Sequence, residues 1–317
     1  MRDAFFRSMV QLAGREPRVH LVVGDLGFGV TNDYVQQVPA RFLNAGVAEQ
    51  NMTGVAAGMA LSGKIVFTYS IANFPILRCL EQVRNDVCYH KANVKIVAVG
   101  GGLAYGSLGA THHATEDLAI MRSLPGIVVI APGDPAEAEA ATMAAAAHPG
   151  PVYLRLGRAG EPSVHAGAVD FQLGKAIQLL DGLDLTLIST GGMLQTAVQT
   201  AHALRHEGFE SRVLSMHTVR PIDEGAILKA ARETQAIFTL EEHSIVGGLG
   251  GAVAEVLAES SERPVTFKRF GLPSAFSAKI GTQEYLRTQH GLTSDAIAHQ
   301  IRFLMERTSS ARHRQHV

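Results

Sequence analysis

The chain has 317 residues, more than one ordinary hydrophobic core organises, so two domains are expected. Its 28 Lys and Arg against 29 Asp and Glu give a formal net charge of −1, and charged residues make up only 18%. That balance leaves no overall electrostatic pull toward nucleic acid or an anionic membrane surface. The opening segment Met1-Arg-Asp-Ala-Phe-Phe-Arg7 has no apolar leader core, and no later stretch has a membrane-like run of 18 residues. A soluble chain that acts on small molecules and meets other protein surfaces is the expectation.

Along the chain, short apolar and β-branched runs with glycine or proline exits predict strands at 19–24, 65–69, 94–99, 127–130 and 151–155. Helical stretches at 50–61, 75–89, 116–123 and 135–147 lie between them, the last announced by Gly133-Asp134. Cys79 and Cys88 belong to no CxxC pair or Cys/His zinc spacing and read as buried thiols in a reducing cytoplasm. The periodic pattern breaks at Gly157-Arg-Ala-Gly-Glu-Pro-Ser163, in the manner of a linker. A second set follows, with strands expected at 185–189, 211–215, 236–240 and 264–269 and helices starting near Met193, Asp223 and Gly248. Alternation of strand and helix throughout argues an α/β fold of two doubly wound domains, 1–158 and 173–308, joined by a linker at 159–172. The polar, basic end 309–317 reads as a frayed tail.

Glu49 stands in Asn44-Ala-Gly-Val-Ala-Glu-Gln-Asn-Met52, where a strand-like approach gives way to a small-residue helix. Alone, a glutamate there does no more than charge the first helical turn. Its company changes the reading: Tyr69-Ser-Ile-Ala-Asn-Phe74, then Leu80-Glu-Gln-Val-Arg-Asn-Asp-Val87, then Gly106-Ser-Leu-Gly-Ala-Thr-His-His-Ala-Thr-Glu-Asp117. In that order these resemble the pyrimidine-binding half of transketolase-like, thiamine-diphosphate enzymes. The likeness continues through Arg122 to Asp134 and, in the second half, through Met216-His-Thr-Val-Arg-Pro-Ile-Asp223, the 241–251 segment and Phe270-Gly-Leu-Pro273. These later segments are similar to the C-terminal part of 1-deoxyxylulose-5-phosphate synthases and to β subunits of 2-oxo-acid dehydrogenases.

The resemblance implies roles. Glu49 would hydrogen-bond N1′ of the aminopyrimidine, and the activated cofactor would serve as an electron sink for a carbanion; such a carboxyl benefits from partial burial. Phe74 would stack on the pyrimidine, with Ile71 and Asp25 also at the cofactor, although Phe74 reads equally as a core aromatic and Asp25 as a turn cap. His112 and His113 are candidates for proton transfer with substrate: a transketolase alignment favours His112, a dehydrogenase alignment His113. Arg2 and Arg158 align with arginines that hold a sugar phosphate. At Gly29, Gly100 and Leu108 this chain departs from positions where transketolases carry polar groups for donor hydroxyls or phosphate.

Gly247-Gly-Leu-Gly-Gly251 fails the dinucleotide spacing, because Val253 stands where a glycine is needed. It reads as a tight entry to a helix whose N–H groups are open to a small anion. The Gly-Asp-Gly and downstream asparagine that hold diphosphate and metal in the family do not occur, so no metal ligand is assigned here. A separate subunit is expected to carry thiamine diphosphate's diphosphate and Mg²⁺, in an α₂β₂ assembly. The expected reaction is transfer of a two-carbon ketol unit between a ketose or ketose phosphate and an aldehyde. Condensation of a decarboxylated 2-oxo acid is the alternative, and a non-catalytic partner or small-ligand-binding protein is the alternative of another class.

Overall fold

A computed structural model describes residues 1–262 and 265–315, with side chains through residue 307. Pro264, with which one expected strand opens, and the last two residues of the expected tail lie outside the described residues. Two mixed sheets result. The first is built from β1 (Val19–Val23), β2 (Phe42–Asn44), β3 (Ile65–Ile71), β4 (Val94–Val99), β5 (Val128–Ile130) and β6 (Val152–Leu156). The second takes β7 (Ile177–Leu180), β8 (Leu185–Ser189), β9 (Ser211–Ser215), β11 (Ala236–Ser244) and β12 (Thr266–Leu272). The short β10 (Thr218–Arg220), although it follows β9 in sequence, crosses back to the first sheet and pairs antiparallel with β5. The strand orders are β10-β5-β6-β4-β3-β1-β2 and β12-β11-β8-β9-β7, parallel except for β10 and β7.

Strand periodicity decides what faces the site. Along β3, Ile65, Phe67, Tyr69 and Ile71 join the core on one face, under the helices Arg2–Arg15 and Pro135–Ala147. Val66, Thr68 and Ser70 therefore point to the other face, where the helix Glu49–Leu61 packs. Burial of a Phe67-sized side chain contributes roughly 1.5–3 kcal/mol, and every residue of β3 is buried. Asp134 caps the helix Pro135–Ala147, accepting from Glu137 N at 2.9 Å. The expected single helix over 75–89 is instead a short helix Phe74–Leu77, a break at Cys79, and a helical stretch that widens to π geometry over Val83–Tyr89. Pro75 sits in the first turn, where its missing N–H costs nothing, and the Cys79 thiol bonds to Phe74 O at 3.4 Å. The last helix, Ser294–Gln315, continues past residue 309.

Links between the domains lie close to β10. Ala131 N donates to His217 O at 2.7 Å, and the His217 ring stacks on Phe171 of the connecting segment with centroids 3.9 Å apart. Burial, reinforced by the nearby His165, pushes the His217 pKa down to about 4. A histidine held below its unfolded value of about 6.5 contributes stability above that pH and loses it as pH falls toward 4. Unfolding in urea at pH 7 and pH 4.5 should therefore show roughly 2 kcal/mol more acid destabilisation in the native chain than in His217→Gln; equal slopes would show that His217 does not titrate on unfolding.

Among the described residues no helix is long and apolar enough to cross a membrane.

Candidate active site

Gly24 follows β1, and there the chain lets Glu49 approach: a Cβ on Gly24 would lie 3.3 Å from Glu49 Cγ. Glu49 opens the helix Glu49–Leu61 and is 1% exposed. Burial without partners would be costly for a carboxylate, and two donors meet it. Ser70 Oγ donates to Oε1 at 3.2 Å from the end of β3, and Arg78 Nη1 donates to Oε2 at 2.6 Å. Arg78 then lies across the half-buried Phe74, its guanidinium carbon 4.6 Å from the ring centroid. A planar group carrying N–H donors thus sits between a buried carboxylate and an aromatic face.

Phe74 meets His112 edge-on at 5.3 Å, and His112 meets Tyr105 at 6.5 Å. The two adjacent histidines part company. His112 is half-buried with Nδ1 at 3.0 Å from Thr111 Oγ1, on the Phe74 side. His113 is 4% exposed, its Nε2 3.3 Å from Gly106 O and its carbonyl accepting from Asn73, beside a small cavity reached by Leu272 and His290. The structure brings His112, and not His113, to Phe74. Ile71 closes β3 in the core.

Asp25 follows β1 in the left-handed region at φ 56°, where an aspartate is tolerated better than most residues. Its N–H donates to Asn44 Oδ1 at 3.0 Å, and Asn44 Nδ2 donates back to Asp25 Oδ1 at 2.9 Å. The pair braces the turn that leads to Glu49. Arg158, exposed just beyond β6, stands 5.3 Å over the Tyr105 ring, and the charge of Arg2 also reaches the Tyr105 hydroxyl. Arg158, Tyr105, His112, Phe74, Arg78 and Glu49 therefore follow one another in contact. Beside Arg158 a cavity of about 400 Å³ opens between the domains, edged by Arg155, Gln195, Glu242 and Arg287.

Sequence reading missed Ser70, Arg78 and Tyr105. Ser70 was recoverable from the two-residue period of β3; Arg78 was not, since its aim depends on the helix break at Cys79. The glycine cluster also needs correcting. Gly248 precedes the helix Leu249–Glu259, and the Glu241 carboxylate already accepts from Leu249 N at 2.7 Å and Gly250 N at 2.8 Å. A side chain at Gly248 would collide with Glu241 Oε2, so glycine serves that internal bond and the N–H groups are not open to an anion. Burial pushes the Glu241 pKa up to about 7. Among the described residues no group of three or more His, Cys, Asp or Glu is disposed to hold a metal ion.

A buried carboxylate beside an aromatic face, in an α/β domain followed by a second α/β domain, defines a class, and comparison with known proteins names it. Residues 1–161 match the transketolase pyrimidine binding domain, and residues 174–297 match the transketolase C-terminal domain. The chain belongs to the transketolase family, whose chemistry uses thiamine diphosphate. It is 41% identical to one of the subunits of the apulose-4-phosphate transketolase of Phocaeicola vulgatus, over 93% of this chain and 94% of that one. It is 39% identical to 6-deoxy-6-sulfo-D-fructose transketolase subunit SqwH of Clostridium sp. (strain MSTE9), over 95% and 94%. Among solved structures, a split gene transketolase described as an inactive beta4 tetramer superposes with a TM-score of 0.87 at 38% identity, over 96% of this chain and 97% of that chain.

Proposed function

We propose that this chain is the pyrimidine-binding subunit of a two-component transketolase that moves a two-carbon ketol unit from a ketose or ketose phosphate to an aldehyde. One observation carries the reading: a buried carboxylate, an aromatic face and a histidine edge converge within a family whose relatives of equal length are named as transketolase subunits. The residues fit the pyrimidine of thiamine diphosphate, because a planar group with N–H donors already satisfies Glu49 and Phe74 together in the form of the Arg78 guanidinium. Bound there, the cofactor supplies the electron sink for the transferred carbanion.

Glu49 would face the ring nitrogen as its proton partner, with Ser70 holding one of its oxygens in place. Phe74 would lie against the ring, with Ile71 at the end of β3 and Asp25 just beyond β1 on the same side of the domain. Arg78 is 45% exposed and can give up its place to the ring. His112 moves protons at the substrate carbonyl or hydroxyl, with His113 supporting the loop from behind. Arg2 and Arg158 hold the substrate's terminal anion.

The diphosphate and Mg²⁺ belong to a partner subunit, in an α₂β₂ assembly. Burial pushes both the Cys79 and Cys88 thiols up to about 11, which suits unreactive side chains in a reducing cytoplasm. Given excess thiamine diphosphate and Mg²⁺, the purified chain should be inert, and mixing with a diphosphate-binding subunit should raise turnover at least about 100-fold. Robust turnover by the chain alone would defeat the two-component reading.

A further inference from the structure

Gly100 is one of the positions at which this chain lacks the polar group that transketolases carry, and the space is not left open. At φ 86°, a Cβ on Gly100 would lie 2.1 Å from Tyr105 Cε2 and 2.2 Å from Cδ2. The missing side chain at 100 and the aromatic ring at 105 are therefore one arrangement: the ring can lie against the end of β4 only because glycine precedes it. Tyr105 is also where the candidate substrate groups meet. Arg158 stands 5.3 Å over its face, His112 meets its edge at 6.5 Å, and the charges of Arg158 and Arg2 both act on its hydroxyl.

We propose that Tyr105 is a further binding residue of the substrate site, its O–H donating to a terminal oxyanion, a phosphate monoester or a sulfonate, that Arg2 and Arg158 hold. This rests on reading the two arginines as the anion site. The chemistry suits the class. Two cations supply charge without choosing its form, whereas one neutral O–H adds a directional bond that a singly charged sulfonate accepts as readily as a phosphate. Burial raises the Tyr105 pKa above its ordinary value despite the two arginines, so the hydroxyl keeps the proton it donates. The ring is seated on Gly100 with Arg158 over its face.

The test needs only the full chain and two simple anions, inorganic phosphate and methanesulfonate, titrated by ³¹P and ¹H NMR line broadening. Tyr105→Phe keeps the ring on Gly100 and removes one oxygen. It should weaken both anions about tenfold, the loss expected for one hydrogen bond to a charged group, and Arg158→Gln should weaken both at least as much. Loss for phosphate alone would restrict the ligand to phosphate esters and support the tyrosine contact in that narrower form. Unchanged affinity in Tyr105→Phe, with loss in Arg158→Gln, would overturn the role of Tyr105 and leave the arginine site standing. Binding insensitive to both variants, or no binding to the native chain, would overturn both.

Discussion

Glu49→Gln should lower turnover of the reconstituted enzyme by about 10³-fold, within the range by which positioned acid–base groups accelerate reactions, and should leave the fold intact. Glutamine is nearly isosteric, fits beneath Gly24 and still offers an oxygen to Ser70 Oγ, now 3.2 Å from the carboxylate. It cannot exchange a proton with a ring nitrogen. The folded chain loses the ion pair with Arg78, whose side chain is 45% exposed and returns to water, so the stability change should stay within roughly 1 kcal/mol. Steady-state rates, paired with thermal unfolding of the same preparation, separate the two effects. Turnover within tenfold of the native enzyme would move the chain to the non-catalytic class, since Glu49 is the buried carboxylate that the Phe74 and His112 line leads to.

How much of this could be read from the sequence follows from how local each signal is. Strands β1, β3, β4 and β8 announce themselves because nearly every residue is buried and apolar or β-branched residues dominate the runs. β7 and β10 do not: the first is four residues long with none fully buried, and the second is three residues long and finds its partner in the other domain. Glu49, Phe74 and His112 lie on ordered motifs, so their meeting could be expected from the sequence. Arg78 and Tyr105 lie outside such patterns, and their importance comes from a helix break and from space beside Gly100. Asp25 could be read two ways, and its bonds to Asn44 account for the turn.

The least legible feature joins residues far apart in sequence, and it carries the second large effect. Arg155, 5% exposed in β6, donates from Nε to Asp117 Oδ2 at 2.6 Å and from Nη2 to Ala114 O at 2.9 Å and Glu242 O at 3.0 Å. Glu242, from β11 in the second domain, accepts from Leu103 N at 2.5 Å, from Gln283 at 2.8 Å, and from Arg287. Gly102 and Ala114 exchange backbone hydrogen bonds of 2.9 Å in both directions, closing the loop that carries Tyr105 and His112. Arg155 and Glu242 therefore pin the two ends of the loop that carries Tyr105 and His112, and the C-terminal domain supplies half of the clamp.

Arg155→Met would leave Asp117, 2% exposed, with Tyr153 as its remaining hydrogen-bond donor at 2.6 Å, and would take one donor each from the carbonyls of Ala114 and Glu242. Breaking one partner out of a buried ion pair costs about 3–5 kcal/mol, and urea unfolding should register a loss of that size. Arg155→Lys restores the charge but cannot serve Asp117 and two carbonyls as the planar fork does, so it should recover only part of the loss. Because the same bonds fix the loop, both variants should also weaken methanesulfonate binding at Tyr105 while leaving Glu49 untouched. An unfolding midpoint equal to that of the native chain would mean that water replaces the guanidinium at no cost, and that the loop is held by its own backbone pair alone.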